Sequence, residues 1–371
     1  MSVEKHLEVD MVAAKGKSAF VHSAAKVRLR ARQGLVIYFG MVVLLSAVFQ
    51  VLLIETGTWL WVIPLMWSPA VASLVARLTL GEGFADVSFR VGGRRGWKAI
   101  AVAVVFPVVI GLPVYGIAWM TGLARFAPRP AGVAAQLASA SPVAAFLVML
   151  AVAATIGTVV GILTAAGEEI GWRGYMLTRL IDAEIPRPVL VSGLVWGLWH
   201  VPLVLGAGYA AGPSPAASAL LLVVLATAFG VVFARLRLQT GSIWPAIVLH
   251  GAWNSIIQSA FDATRTGGDG SRLHDGASWW VGESGVLTVI AMIIAAVVVS
   301  QGRWAIRRRP EGRPTTDMVS TADPPSTRLT IRAHGRDLIP WRPMRWHARC
   351  RNVFSMLGGI IRDLARYRLA M

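Results

Sequence analysis

The sequence predicts an all-α fold, a polytopic transmembrane helical bundle of about eight spans with both termini in the cytoplasm. Three observations predict it. Apolar side chains make up 55% of the 371 residues and charged ones only 15%, where a soluble domain carries about 25% charged residues. Apolar runs close to the ~20 residues that cross a hydrocarbon core recur along the chain. The Lys and Arg residues between these runs fall in alternate loops, the bias that marks cytoplasmic segments. The single cysteine, Cys350, excludes a disulfide scaffold and a four-thiolate zinc module.

Residues 1–33 form a basic cytoplasmic leader with seven basic and three acidic side chains. The first apolar run, 34–54, is too long for a signal peptide, starts too late and lacks a small-residue cleavage site, so it reads as a permanent span. Further spans are expected at 59–76, 99–120, 142–166, 189–205, 217–233, 244–261 and 285–300. The fifth, sixth and eighth are short and need an extra turn or a locally thinned membrane. With the N-terminus inside, the cytoplasmic side receives the leader, the loops 77–98 and 167–188, and Arg235 with Arg237. That is seventeen basic residues against four on the opposite side, Arg125, Arg129, Arg265 and Arg272. The chain thus divides into the leader, an N-terminal transmembrane region at 34–141, a motif-bearing core at 142–262, a loop and last span at 263–300, and a basic tail at 301–371. The Arg- and Pro-rich tail is expected to be largely disordered. Its stretch 353–369 has the pattern of a surface-lying amphipathic helix.

The formal charge of +17 invites a nucleic-acid reading, and its distribution removes it. The leader carries +4 and the tail +10, while the body from 34 to 300 carries only +3. Basic flanks on an apolar body face an anionic leaflet. The expected partners are membrane lipids and a membrane-associated peptide or protein, with no nucleic acid, and the expected location is the plasma membrane.

Polar and ionisable groups are costly within a membrane, so those retained there are functional candidates. The spans leave Gln50, then Glu168 and Glu169 at the expected cytoplasmic end of the fourth, His200 in the fifth, and His250, Asn254 and Gln258 in the seventh. In GEEIGWRGYM, 167–176, a continuing helix sets Glu169 and Arg173 four residues apart on one face, suited to a charge-assisted bond. Glu168 is rotated about 100° from its neighbour and free to point elsewhere. A partly desolvated carboxylate suits a proton acceptor near neutral pH. Trp196-Gly-Leu-Trp-His200 places an imidazole inside the fifth span. His250 and Asn254 are also four residues apart and share a face, which Gln258 extends. Taken singly, these are a helix-end ion pair, a packing histidine and interhelical hydrogen bonding. Together they supply a base for water and donors for a developing oxyanion, the needs of amide hydrolysis. Counted from the cytoplasmic boundary at 1.5 Å per residue, His250 lies roughly 9 Å deep, Asn254 roughly 15 Å and His200 roughly 16 Å. Glu168 joins them only if its helix ends about a turn below the surface.

At these residues the sequence resembles the CPBP family of intramembrane proteases (CAAX proteases and bacteriocin-processing enzymes), also called Abi. The family motifs E-E-x-x-x-R, F-x-x-x-H and H-x-x-x-N/D read here Glu168-Glu169-x-x-x-Arg173, Trp196-x-x-x-His200 and His250-x-x-x-Asn254. The likeness covers about residues 142–262. Trp196 departs from the family's Phe and is another aromatic of packing type. The resemblance implies a helical bundle enclosing a proteolytic cavity. In it Glu168 activates water, His200 helps to hold it, His250 and Asn254 stabilise the oxyanion, and Glu169 with Arg173 supports the base. It implies no cofactor, the alternative being Zn2+ held by Glu168, His200 and His250 with water in the fourth position. A missing H-E-x-x-H and ligands drawn from three helices speak against zinc.

The functional expectation is an intramembrane endopeptidase acting on membrane-associated peptides or protein C-terminal tails. A non-catalytic member, acting as a peptide-binding scaffold or bacteriocin immunity protein, is the alternative. A proton-coupled carrier would also use intramembrane Glu and His. The chain does not itself end in a CAAX box, because Cys350 lies 21 residues before the end.

Overall fold

The computed structural model describes residues 2–129, 141–210, 212, 214–264 and 276–301. The basic tail, including the amphipathic stretch at 353–369 and Cys350, lies outside the described residues. Contacts divide the chain after residue 299, and the unit before that point is the one described below.

Among the described residues there are eight helices and no strand: α1 (Ser2–Thr56), α2 (Val62–Leu80), α3 (Gly93–Thr121), α4 (Pro142–Asp182), α5 (Pro188–Ala207), α6 (Pro215–Thr240), α7 (Trp244–Trp253) and α8 (Val286–Ser300). A π-helical stretch, Asn254–Phe261, prolongs α7. Sequence chemistry sets several boundaries. The Ser141 and Ser214 hydroxyls accept from the amides of Ala144 (3.2 Å) and Ala217 (3.4 Å), each serine followed by a proline at the first helical position. Gly208 and Gly241 end α5 and α6 in the left-handed region, at φ +68° and +62°.

Six of these helices are long and apolar enough to cross a membrane, namely α1 from Ala24, the Trp59–Leu80 segment containing α2, and α3 to α6. Two of the eight expected spans are not among them. The run at 244–261 is not among the six, and every residue of α7 from Pro245 to Trp253 is buried, with α4, α3 and α6 packed around it. It is the bundle's central helix. The last run forms a helix of 15 residues, short of the ~20 that span. The fifth and sixth spans do lengthen beyond their apolar runs, α6 as far as Thr240.

The loop expected over 167–188 is revised. Helix α4 continues, in part as π-helix, to Asp182, so the connection shrinks to residues 183–187. The pair Glu168-Glu169 therefore sits within a helix, with Glu168 about 21 Å from its Asp182 end at 1.5 Å per residue. Two π-helical segments interrupt α4, at Ala153–Gly157 and Trp172–Met176. The second begins just beyond the glutamates, and such bulges recur at functional sites.

The outer face of α4 presents Val143, Leu147, Ile156, Val160 and Leu163 outward, as lipid contact permits. Inside, backbones meet directly. A Cβ on Gly161 would lie 2.6 Å from the Gly251 carbonyl oxygen, and one on Gly230 would lie 2.7 Å from the Gly193 Cα. Only glycine allows these contacts of α4 with α7 and α5 with α6, the small-residue packing typical of membrane helices.

An ionic cluster clasps the α2–α3 connection onto the end of α4. Asp86 pairs with Arg77 at 2.6 Å and Arg179 at 2.9 Å, and Arg179 also pairs with Glu82 at 2.7 Å. Arg77 further donates to the carbonyls of Gly83 and Gly174, and Arg237 donates to the Asp86 carbonyl.

Candidate active site

The three motifs come from α4, α5 and α7 and meet inside the bundle. Glu169 is fully buried, and its Oε1 accepts from Arg173 Nη1 at 2.8 Å and from His250 Nδ1 at 2.9 Å. The first bond follows from the i, i+4 spacing along α4. The second crosses from α4 to α7, where the glycine contact between Gly161 and Gly251 brings the two backbones close. Arg173 Nη2 finds no hydrogen-bond acceptor. The guanidinium instead lies 4.4 Å from the Trp196 ring centroid and 4.2 Å from that of Phe233, so aromatic faces stand in for water around the charge.

Glu168, 2% exposed, points away from that pair, as the 100° rotation requires. Its Oε2 accepts from two indoles, Trp172 Nε1 at 3.2 Å and Trp196 Nε1 at 2.7 Å. Trp196 is thus more than a packing aromatic, since the Phe of the family motif has no N–H to donate. Its backbone carbonyl also lies 2.8 Å from His200 Nδ1, and its ring meets those of His200 and His250 edge-on at 5.4 and 5.5 Å.

A carbonyl can only accept, so His200 donates from Nδ1, and its neutral form carries the lone pair on Nε2. His250 likewise spends Nδ1 on the Glu169 carboxylate. Both imidazoles line one small cavity together with Trp196, Asn254, Tyr209, Trp253 and Glu283. Its free volume is about 20 Å³, room for about one water molecule. Apolar walls from Leu222, Leu225, Ala226 and Phe229 of α6 close it on another side.

The structure therefore brings His200, His250 and Asn254 to one cavity. Glu168 reaches it through its bond to Trp196, while Glu169 and Arg173 lie behind His250. Gln258 is bonded to Asn254 Oδ1 at 3.2 Å. Gln50 is elsewhere, donating to the Trp199 carbonyl at 2.8 Å and tying α1 to α5. For zinc, no group of three His, Cys, Asp or Glu side chains with metal-site geometry occurs among the described residues.

Sequence reasoning missed Glu283, which stands on the cavity wall only 8% exposed. It precedes the last apolar run by two residues, and a carboxylate so close to a span was the available signal. It missed Tyr209 as well, which stacks on His200 at 5.8 Å between ring centroids.

Residues 146–256 match the family described as Rce1-like, type II CAAX prenyl endopeptidase Rce1-like. The matched segment contains all three motifs and ends before Gln258 and Glu283. No curated protein matches the chain. By that match and by its motifs, the segment from residue 146 to residue 256 of this multi-pass membrane chain is similar to the CAAX-protease (CPBP) family.

Proposed function

We propose that the chain is an intramembrane endopeptidase that hydrolyses a peptide bond near the C-terminus of a membrane-associated peptide or protein, using water activated by Glu168 and no metal. The observation that supports this most is a cavity of one-water size lined by His200, His250 and Asn254 from two of the motifs, with the buried carboxylate of Glu168 from the third bonded to Trp196 in its wall.

In this reading the indoles of Trp172 and Trp196 hold Glu168 by Oε2, leaving Oε1 to take a proton from water. His200 Nε2 accepts the other hydrogen of that water and orients it. As the water oxygen bonds to the scissile carbonyl carbon, the carbonyl oxygen gains negative charge. Asn254 Nδ2 and, when doubly protonated, His250 Nε2 donate to it. Collapse breaks the C–N bond, and Glu168 passes its proton to the leaving amine. Glu169 and Arg173 hold the His250 ring from behind. The family name suggests a prenylated CAAX tail as one substrate class, and the plasma membrane with both chain ends cytoplasmic is the matching location.

The test is peptide-release mass spectrometry on the purified full chain in detergent. The probes are a peptide ending in a farnesylated CAAX sequence and its unprenylated twin, each assayed with wild type, Glu168→Gln, and wild type plus a chelator. The expected result is release by wild type, none by Glu168→Gln and no effect of the chelator. Full activity in Glu168→Gln would overturn the assigned base. Loss on chelation with recovery on added Zn2+ would overturn the metal-free mechanism. Binding of both probes without cleavage would favour a scaffold.

A further inference from the structure

Beyond the family segment a second buried carboxylate faces the same cavity, and its hydrogen bonds form a directed chain. Glu283 Oε1 accepts from Trp253 Nε1 at 2.7 Å, and its Oε2 accepts from Tyr209 Oη at 2.5 Å. Tyr209 Oη accepts in turn from Gln258 Nε2 at 3.1 Å, and the same Nε2 donates to Asn254 Oδ1 at 3.2 Å. Glu283, Tyr209 and Asn254 all line the cavity. Four elements contribute: the segment before α8, the turn after α5, α7, and the π-helical stretch that follows it.

The direction of this chain follows from its first member. An ionised carboxylate only accepts, and an indole N–H only donates. Tyr209 has one proton and gives it to Glu283, so its oxygen can only accept from Gln258. Gln258 must then present its nitrogen, which carries two hydrogens, one for Tyr209 and one for Asn254. Facing a donor, Asn254 must present Oδ1, and its Nδ2 group turns to the other side, toward the cavity. Reversing any one member reverses all those after it. An asparagine amide otherwise has two orientations of nearly equal shape, and only one of them offers hydrogens to an oxyanion.

We propose that Glu283 is a positioning residue. Acting through Tyr209 and Gln258, it holds the Asn254 carboxamide with its N–H groups toward the scissile carbonyl. This rests on the reading of Asn254 as an oxyanion donor. The near-isosteric Glu283→Gln variant makes the sharpest test. Its amide oxygen must take the Trp253 N–H, so its nitrogen donates to Tyr209. Tyr209 then donates to Gln258, Gln258 presents its oxygen, and Asn254 turns Oδ1 to the cavity.

The experiment uses the full chain in detergent with the farnesylated CAAX peptide as probe. Removing an oxyanion donor costs about 10²–10³ in kcat, so Asn254→Ala is expected to lose about 100-fold. Glu283→Gln should lose at least tenfold in kcat with KM within about twofold, and should cost nothing further in an Asn254→Ala background. Tyr209→Phe, which cuts the chain and keeps the ring on His200, should lose about three- to tenfold in kcat. A second readout needs no activity. In asparagine-15N-labelled protein, the Asn254 side-chain amide signal, assigned by its loss in Asn254→Ala, should exchange with water at least tenfold more slowly in Glu283→Gln, where its hydrogens face Gln258. A Glu283→Gln or Tyr209→Phe protein with unchanged kcat and an unmoved amide signal overturns the proposal. Full activity in Asn254→Ala would instead defeat the oxyanion reading, and the amide signal would still decide the orientation.

Discussion

Trp196 on α5 donates its indole N–H to Glu168 on α4 at 2.7 Å, while its carbonyl accepts from His200 and its ring lies over the guanidinium of Arg173. One residue thus ties Glu168, an imidazole and Arg173 together. A phenylalanine at this position could fill the space and pack on Arg173 but could not address the carboxylate.

Trp196→Phe isolates that hydrogen bond. A bond to a charged group contributes about 1.5–3 kcal/mol, so kcat/KM for the farnesylated CAAX peptide should fall about ten- to 100-fold while the helical circular dichroism stays unchanged. Activity within twofold of wild type would mean that Trp172 alone holds Glu168.

The Glu169–Arg173 pair should behave as one unit. Both members are at most 1% exposed, and removing one partner of a buried pair costs about 3–5 kcal/mol because the other charge is stranded. Arg173→Met and Glu169→Gln should each lower the detergent unfolding temperature strongly, and the double variant should unfold closer to wild type than either. Strictly additive losses would show that the two charges do not depend on each other. Arg173→Lys keeps the charge but loses the planar group packed between Trp196 and Phe233, so it should restore only part of the stability.

Gly251→Val tests the helix crossing that places His250 on Glu169. A Cβ at Gly251 would fall 2.6 Å from the Ile162 amide nitrogen, a backbone atom that cannot yield without moving α4. Overpacking costs about 1–3 kcal/mol. Activity should be lost, with a lower unfolding temperature, whereas Gly40→Ala, with nothing within 4 Å of the new Cβ, should match wild type in both measurements.

Asp86→Asn tests the ionic clasp at the far end of α4. Asp86 joins Arg77 of α2 to Arg179 of α4, so its neutralisation should loosen the α2–α3 connection. Amide hydrogen exchange across residues 81–92 should quicken by at least tenfold, while exchange in α7 stays as in wild type. Equal exchange in the two proteins would assign the clasp's stability to Glu82 and the backbone carbonyls.

The sequence by itself determined the membrane class and the relations that lie within one helix. Low charge density and span-length apolar runs are properties of composition, and an i, i+4 spacing sets Glu169 beside Arg173 and Asn254 beside His250 whatever the helices do afterwards. Periodicity could not tell a lipid-facing helix from a central one, because both are apolar all round, so the place of α7 at the centre of the bundle was not legible in its sequence. The same limit hid the roles of Trp196, Tyr209 and Glu283. Each acts on a residue of another element, and which side chains meet across elements is decided by where glycines let backbones approach and how far each helix runs. The apolar text marked the few polar residues as costly. Only packing decided that Glu169 would find His250, that Trp196 would find Glu168, and that a carboxylate beyond the family segment would close the cavity, because a buried polar group must be satisfied by whatever the tertiary structure places beside it.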